Sequence, residues 1–439
     1  MTQPPQLARV LAALGIEALN AMQQEAHRAV VQGQDVVLMA PTGSGKTLGF
    51  LVPLLHLLAA DRPGVQALVL APTRELALQI EGVWRSMATG FKASVCYGGH
   101  SMATELQSLS QPPALLIGTP GRLADHLSRG SFATDSVRTL VLDEFDKALE
   151  LGFHDQMAYL VAQLPNLQKR VLVSATAGVA IPDFVRLTTP ETLDFTTEQR
   201  ETGLTLVGVE TAGAARNEAL TRLLSSLGSE AALIFCNLRE EADQLGAFLN
   251  RLGYEAAVYH GGLEQDDRER ALIRFRNGSV TYLVTTDLAA RGLDIPAMKH
   301  VVHARLPLHP HEFVHRNGRT ARMHASGTAY VLLDPHEARP AYLPDHLPTC
   351  RLPAEAGPVR PPAFATIYVS GGKKNKLGKV DIVGFFSQKG GLEKGDLGLI
   401  EVKDFSTFAA VRREKVRSLL DNIRDQKLKG KKYKIEIAR

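Results

Sequence analysis

Three short stretches hold side chains whose types and spacing suit the handling of a triphosphate. In "MAPTGSGKT", residues 39–47, Gly43 and Gly45 let the backbone curl around Thr42 and Ser44 so that its N–H groups face phosphate oxygens. Lys46 then reaches the terminal phosphates, and Thr47 is placed to hold Mg2+. Ala40 stands where the strict G-x-x-x-x-G-K-[ST] pattern has its first Gly, so a glycine-rich turn without a ligand competes with this reading. In "VLDEFDKALELGF", residues 141–153, Asp143, Glu144 and Asp146 crowd where a strand runs out. Alone they read as a solvated turn. Beside a phosphate loop, Asp143 suits a Mg2+ ligand, and Glu144 suits the group that orients and deprotonates an attacking water. In "HRNGRTAR", residues 315–322, the three-residue spacing of Arg319 and Arg322 predicts one face of a helix. Their guanidiniums match the charge that builds on a transferring phosphoryl group; a solvated basic helix is the alternative.

Such groups need strands to end beneath them. "DVVLMA", "ALVLAPT", "ALLIGTP", "TLVLDE" and "RVLVSAT" each read as a buried strand closing in small or polar residues, with helical patterns such as "TRELALQIEGVWRSMA" between. That alternation predicts a parallel sheet covered on both faces, with functional loops at the carboxyl ends of its strands. The rhythm fades over 199–215, which reads as a linker, and resumes with "AALIFCN", "EAAVYHGG", "TYLVTTD" and "KHVVHARLP". The organisation is therefore read as one α/β domain over 1–198 and a second over 216–350. A Pro-rich, extended and semi-rigid spacer over 351–362 follows, and then a small α+β module over 363–439. The last segment reads strand, helix, two strands, helix, strand, the order of a ferredoxin-like or RRM-like fold.

Composition narrows the class. The 439 residues are 45% hydrophobic and 22% charged, which suits a globular chain with several cores. The longest apolar stretch, "GFLVPLLHLLAA", is too short for a membrane span. No secretory signal is expected from "MTQPPQLARV". Cys96, Cys236 and Cys350 are scattered and fit neither a disulfide framework nor a zinc site. A cytoplasmic monomer without a membrane partner is expected. Residues 363–439 hold 18 Lys and Arg against 9 Asp and Glu, a balance of +9, and leave −5 for the remainder. A basic module behind an acidic body points to a polyanion.

In order and spacing the motifs resemble the DEAD-box RNA helicases of superfamily two, over roughly residues 10–335. They are Gln23 in "AMQQEA", "APTGSGKT", "PTRELA", "GG" at Gly98 and Gly99, "TPGRL", "DEFD", "SAT", "LIFCN", "TTDLAARGLDI" and "HRNGRTAR". The resemblance implies two RecA-like parallel-sheet domains in tandem, ATP and Mg2+ as cofactors, and RNA as partner. It implies that Gln23 reads the adenine edge, and that Gly292 and Asp294 add nucleotide contacts. Ser174 and Thr176 would link hydrolysis to strand separation, and Arg319 and Arg322 would be arginine fingers. RNA contacts are implied for Pro72, Thr73, Arg74, Gly99, Thr119, Gly121 and Arg122, and for Gly261, Gln265, Arg268 and Thr285. The tail resembles the C-terminal RNA-binding domain of DbpA-type helicases, which recognises structured large-subunit ribosomal RNA. Lys373, Lys374, Lys376 and Lys379 are then candidates for phosphate contact, and Phe405 and Phe408 for stacking.

Two departures stand out. Phe145 replaces the family's Ala and must find room near "SAT". The family's adenine-stacking aromatic has no counterpart around Gln6. The function expected is ATP-dependent opening of short RNA duplexes during large-subunit assembly. The alternatives are a catalytically weak RNA clamp or a DNA-translocating enzyme on the same scaffold.

Overall fold

The computed structural model describes the chain apart from residues 1–4, 34, 177, 197–202, 212–214, 288–297, 321–325 and 439. Two compact units form. In the first, seven short strands form: β1 (Val36–Met39), β2 (Ala67–Leu70), β3 (Ala93–Cys96), β4 (Leu115–Gly118), β5 (Thr139–Asp143), β6 (Lys169–Ser174) and β7 (Glu191–Asp194), the inner ones rich in Val, Leu and Ile. They assemble in the order β3-β4-β2-β5-β6-β1-β7, all parallel. Parallel strands buried on both faces read as continuous apolar runs, and β2 and β4 are buried at every residue.

Helices α1 (Pro5–Leu14), α2 (Ala21–Gln32), α3 (Lys46–Leu57) and α4 (Arg74–Ser86) pack toward one face, around Met22, Phe50, Ile80 and Trp84. Helix α6 (Pro120–Ser128) covers the other with the short α7 (Phe145–Glu150) and α8 (His154–Ala162), around Leu123, Phe145 and Leu160. Helix α5 (Met102–Leu109) lies beside β3 at the sheet's edge. Phe145 therefore does find room. It is buried with Leu142, Met157 and Leu172 beneath α7 and α8, inside this second apolar layer.

In the second unit the order is β10-β11-β9-β12-β13-β8. Its strands are β8 (Leu204–Glu210), β9 (Ala232–Cys236), β10 (Ala256–Tyr259), β11 (Tyr282–Thr286), β12 (His300–His303) and β13 (Gly327–Leu333). Helices α9 (Arg216–Leu227), α10 (Arg239–Arg251), α11 (Gln265–Arg276) and α12 (Pro310–Asn317) accompany them. The segment expected to be a linker over 199–215 holds β8, which pairs in parallel with β13 along its whole length. "LTLVGVE" stands in a stretch rich in Thr, Gly and charged residues, so its β-branched run is recognisable only once β13 gives it a partner.

The last six elements are β14 (Phe364–Val369), α13 (Lys379–Gln388), β15 (Leu397–Val402), β16 (Thr407–Arg412), α14 (Val416–Ile423) and β17 (Ile435–Ile437). The strands form an antiparallel sheet ordered β15-β16-β14-β17, the topology read from the sequence. One face packs on α13 and α14 through Ile367, Val369, Ile382, Phe386 and Leu419.

The other face lies on α11. Phe408 and Ala438 bury against Ile273. Thr366 Oγ1 accepts from Asn277 Nδ2 at 3.2 Å and bonds the Ser279 hydroxyl. Ion pairs Arg276–Glu401 at 2.9 Å and Arg413–Glu255 at 3.0 Å flank the joint. The stretch over 351–362 holds no helix or strand, and it is no free spacer. Leu352 and Val359 pack against the core under the second sheet, and the Cys350 N–H donates to the Gly208 carbonyl at 2.8 Å.

Candidate functional site

The strand order of the first sheet sorts the expected site residues into two groups along one edge. The carboxyl ends of β5, β6 and β1, neighbours in the sheet, deliver the carboxylate pair, "SAT" and the phosphate loop. Neighbours β3, β4 and β2 deliver Gly98–Gly99, Thr119–Arg122 and Pro72–Arg74.

At the phosphate loop, Gly43 and Gly45 take φ of +81° and +87°, a region that favours glycine. Gly45 opens α3 with no side-chain cap, so its N–H groups are available to an anion. A Cβ at Gly45 would collide with the Gln23 carboxamide. That carboxamide donates to the Gly45 carbonyl at 3.2 Å and accepts from the Asn20 N–H at 3.0 Å, while Asn20 Nδ2 donates to the Ser44 carbonyl at 3.0 Å. Gln23, expected at the adenine edge, is thus engaged as a strut of the phosphate loop. Lys46 Nζ donates to the carbonyls of Ala40 at 2.7 Å and Pro41 at 3.0 Å. Thr42 and Thr47 are half-buried beside it, and the side chain of Gln6 lies outside the described residues.

Asp143 is buried, and its Oδ1 accepts from the Glu144 N–H at 3.0 Å. Burial, and then the neighbouring Glu144 charge, push its carboxyl up to about 7 against the pull of Lys46. Glu144 turns the chain with φ +46°, a left-handed conformation uncommon for a non-glycine residue. Among the described residues, Ser44 Oγ and Glu144 Oε2 are buried without a hydrogen-bond partner. Two orphaned oxygens, an uncapped helix start and a buried Asp143 carboxyl beside Glu144 suit a triphosphate with a divalent cation. Asp146 accepts from Ser174 Oγ at 3.0 Å and Thr176 Oγ1 at 3.1 Å, tying "DEFD" to "SAT".

In the other group, Thr73 caps α4 by accepting from the Leu76 N–H at 3.2 Å, and Thr119 with Pro120 opens α6. Gly99 has φ +85°, and a Cβ there would lie 2.9 Å from Arg74 Nη1. Arg122 Nη2 donates to the His100 carbonyl. Arg74, Gly99 and Arg122 are therefore one constellation.

Positions in the second unit differ more from expectation. Gly261 is exposed and Gln265 and Arg268 are half-buried, on the loop after β10 and the first turn of α11. Thr285 is 0% exposed inside β11, so its side chain cannot meet RNA in this conformation. A side chain on an inner parallel strand lies under the helices that cover the faces of the sheet. The helix expected to display Arg319 and Arg322 stops at Asn317, capped by Gly318. Arg319 sits in the following turn, buried, and its carbonyl accepts from the Met298 N–H at 2.9 Å. Arg322, Gly292 and Asp294 lie outside the described residues.

The arginine that organises this region was not singled out from the sequence. Arg316 is 1% exposed and grips Asp287 with Nε at 2.6 Å and Nη2 at 2.5 Å. It also donates to Asn237 Oδ1 at 2.8 Å and to the Arg305 carbonyl at 2.6 Å, with its guanidinium 5.0 Å from the Phe235 ring. Its one visible signal was a third Arg in "HRNGRTAR".

In the tail, the loop with Lys373, Lys374 and Lys376 is held against the turn between β15 and β16. The N–H groups of Lys373 and Lys374 donate to the carbonyls of Lys403 and Asp404, both at 2.8 Å. Phe405 at the tip of that turn is 70% exposed, whereas Phe408 is 6% exposed in the joint with α11. Lys379 opens α13 nearby.

Residues 20–184 match the DEAD/DEAH box helicase family, 215–324 the helicase conserved C-terminal domain and 366–437 the DbpA RNA binding domain. The chain is 34% identical to the ATP-dependent RNA helicase DbpA of Escherichia coli (strain K12), covering 99% of this chain and 98% of the relative. It is 31% identical to that of Bacillus subtilis (strain 168), covering 98% and 97%. Among solved structures, S. cerevisiae Dbp5 bound to RNA and ADP BeF3 superposes with a TM-score of 0.66 at 26% identity, over 75% of this chain and 88% of that one. Mss116 bound to ssRNA and UDP-BeF gives 0.66 at 25% identity, over 76% and 73%. A likeness that runs through both parallel-sheet domains and on through the tail places the chain in the DEAD-box family of ATP-dependent RNA helicases, in the branch that carries a DbpA-type RNA-binding domain.

Proposed function

We propose that the chain hydrolyses ATP in response to RNA, opens short RNA duplexes, and is directed by its tail to structured RNA of the large ribosomal subunit. One observation carries the reading. A single sheet edge holds a triphosphate-type pocket on β5, β6 and β1 and an arginine–glycine constellation on β3, β4 and β2. Asp146, Ser174 and Thr176 lie on the pocket side, where a change at the phosphates could reach the rest of the lobe.

In this proposal the N–H groups at the start of α3, with Lys46, orient the phosphates, and Thr42 to Gly45 shape the loop around them. Glu144 holds and deprotonates the water. Thr47 and Asp143 are the residues that would hold Mg2+, which supplies charge neutralisation at the phosphate oxygens when bound. Arg319 and Arg322 keep the proposed role of cations for the transferring phosphoryl group, and Gly292 and Asp294 that of nucleotide contacts. Pro72, Thr73, Arg74, Gly99, Thr119, Gly121 and Arg122 are proposed to bind RNA phosphates and 2′-hydroxyls, as are Gly261, Gln265 and Arg268. On the tail, Phe405 is the better stacking platform because Phe408 is covered. The nearby lysines favour phosphates, with a strong salt dependence.

The test is ATP turnover measured side by side with ribosomal RNA, other RNA and DNA. Stimulation by RNA, greatest with ribosomal RNA, and its loss in Lys46→Ala are expected. Equal turnover without nucleic acid, or ordinary turnover in Lys46→Ala, would refute the proposal.

A further inference from the structure

Behind the arginine–glycine constellation sits a carboxylate that lies outside both groups of proposed site residues. Glu105, on α5, is 1% exposed, and four donors converge on it. Its Oε1 accepts from the Tyr97 N–H and from His100 Nδ1, both at 3.1 Å. Its Oε2 accepts from Arg122 Nε at 2.8 Å and from His126 Nε2 at 2.7 Å. Tyr97 and His100 flank Gly98–Gly99, and Arg122 and His126 are one turn apart on α6. One buried side chain therefore joins the loop after β3 to the helix after β4.

Arg122 is held by its inner edge. Nε is fixed by Glu105 and Nη2 by the His100 carbonyl, while Nη1 has the Asp125 carboxylate 4.0 Å away. The Arg122 side chain is 15% exposed, and the direction of its guanidinium is set before any ligand arrives. The same loop carries Gly99, whose missing side chain leaves space for the Arg74 guanidinium. A charged acceptor for an arginine fork, itself fully hydrogen-bonded, is how a site holds a cation to within a fraction of an ångström.

Cys96 belongs to the same neighbourhood. Its Sγ and the ligand atoms of Glu105 and His126 lie within 4.8 Å of one another. Burial, then the Glu105 charge, push the Cys96 thiol up to about 12, so it stays a neutral neighbour. The positive charge that Glu105 requires is supplied by Arg122.

We infer that Glu105 is a positioning residue for RNA, fixing Arg122 and the Gly98–His100 loop in the arrangement that receives a phosphodiester. The inference rests on the proposed RNA role of Arg122. Its chemistry predicts a change in RNA affinity with the nucleotide pocket untouched, because among the described residues the Glu105 carboxylate bonds to the β3 loop and α6.

The experiment compares Glu105→Gln, Glu105→Ala, Arg122→Ala and the double variant Glu105→Gln/Arg122→Ala in the full chain. RNA concentration at half-maximal ATPase, kcat at saturating RNA, nucleotide affinity without RNA and the urea unfolding midpoint are measured. Glu105→Gln turns one acceptor into a donor facing other donors. It is expected to raise the half-saturating RNA concentration about tenfold, and Glu105→Ala at least as much, with kcat and nucleotide affinity kept. In the double variant Glu105→Gln should add nothing to the Arg122→Ala effect, since it acts through that arginine. RNA affinity unchanged in Glu105→Gln while lowered in Arg122→Ala would overturn the inference alone. Equal loss of nucleotide and RNA binding, or full additivity in the double variant, would overturn it too and show a role in the fold only. No effect of Arg122→Ala would instead refute the RNA reading of this edge.

Discussion

The Ser174 hydroxyl donates to the Asp146 carboxylate at 3.0 Å, bridging the end of β6 and the first turn of α7. Thr176 adds a second hydroxyl to the same oxygen at 3.1 Å. Asp146 lies three residues after Asp143 and two after Glu144, so a shift of the carboxylate pair moves it as well. The Ser174→Ala/Thr176→Ala variant removes both donors without touching the phosphate loop. RNA-stimulated ATP turnover should persist while duplex separation per ATP falls about tenfold, the effect of losing hydrogen bonds to a charged group. A strand-displacement assay run beside a phosphate-release assay checks this.

Phe145 tests the first unit's second apolar layer. It is buried against Leu142, Met157 and Leu172. Phe145→Ala should lower the unfolding free energy of this unit by about 3–5 kcal/mol through the cavity it leaves. Urea denaturation followed by the fluorescence of Trp84, the single tryptophan and a residue of this unit, measures the change.

Arg316 tests the second unit. Arg316→Ala would strand the Asp287 carboxylate, which is only 13% exposed, and leave Asn237 short of a donor. Removing one partner of a buried pair costs about 3–5 kcal/mol. Arg316→Lys should recover only part of this, because an ammonium cannot fork across both oxygens. Hydrogen exchange at β9 and β11 would register the loss.

His303 gives a pH signature. It is fully buried, with Nε2 2.9 Å from Asn317 Oδ1. Burial, then the Arg316 charge, bring its pKa down to about 3 from the ordinary value near 6.5. Between those values the unfolded chain binds a proton that the folded chain does not. Its contribution to stability is thus complete above about pH 6.5 and declines by up to about 1.4 kcal/mol per pH unit as the pH falls toward 3. His303→Gln should flatten the stability curve in that window relative to the native chain, as read from thermal unfolding at a series of pH values.

The joint with the tail makes a further prediction. Ile273→Asp would set a carboxylate against Phe408 and Ala438. The tail module should loosen from α11, with protease cleavage in the stretch over 351–362 rising about tenfold as the open population grows. ATPase with unstructured RNA should be unchanged.

What the sequence could convey follows from the range of the interactions involved. Strands such as "ALVLAPT" and the loops behind them were legible because β-branched runs and glycine spacing are local. The edge strand β8 was read as linker because its partner, β13, lies more than a hundred residues away. Helix α12 was extended too far because the pattern of "HRNGRTAR" does not show that Arg316 turns inward to Asp287, after which Gly318 closes the helix. Thr285 looked available in a motif and is covered in a sheet. Glu105 carried no signal, since a lone Glu in an amphipathic helix reads as solvated surface. Its role exists only where β3 and β4 lie side by side.

Helix α11 presents Gln265 and Arg268 in its first turn and holds the tail on Ile273 and Arg276 further along. Eight residues separate Gln265 from Ile273, about 12 Å of helix at 1.5 Å per residue. The tail is thus mounted on the same rigid rod as the second unit's proposed RNA contacts. On the proposed RNA contacts, an element gripped by the tail would be carried at a set offset from the strand at Gln265 and Arg268. Substrates whose duplex begins at that spacing should be favoured over those that place it nearer or farther.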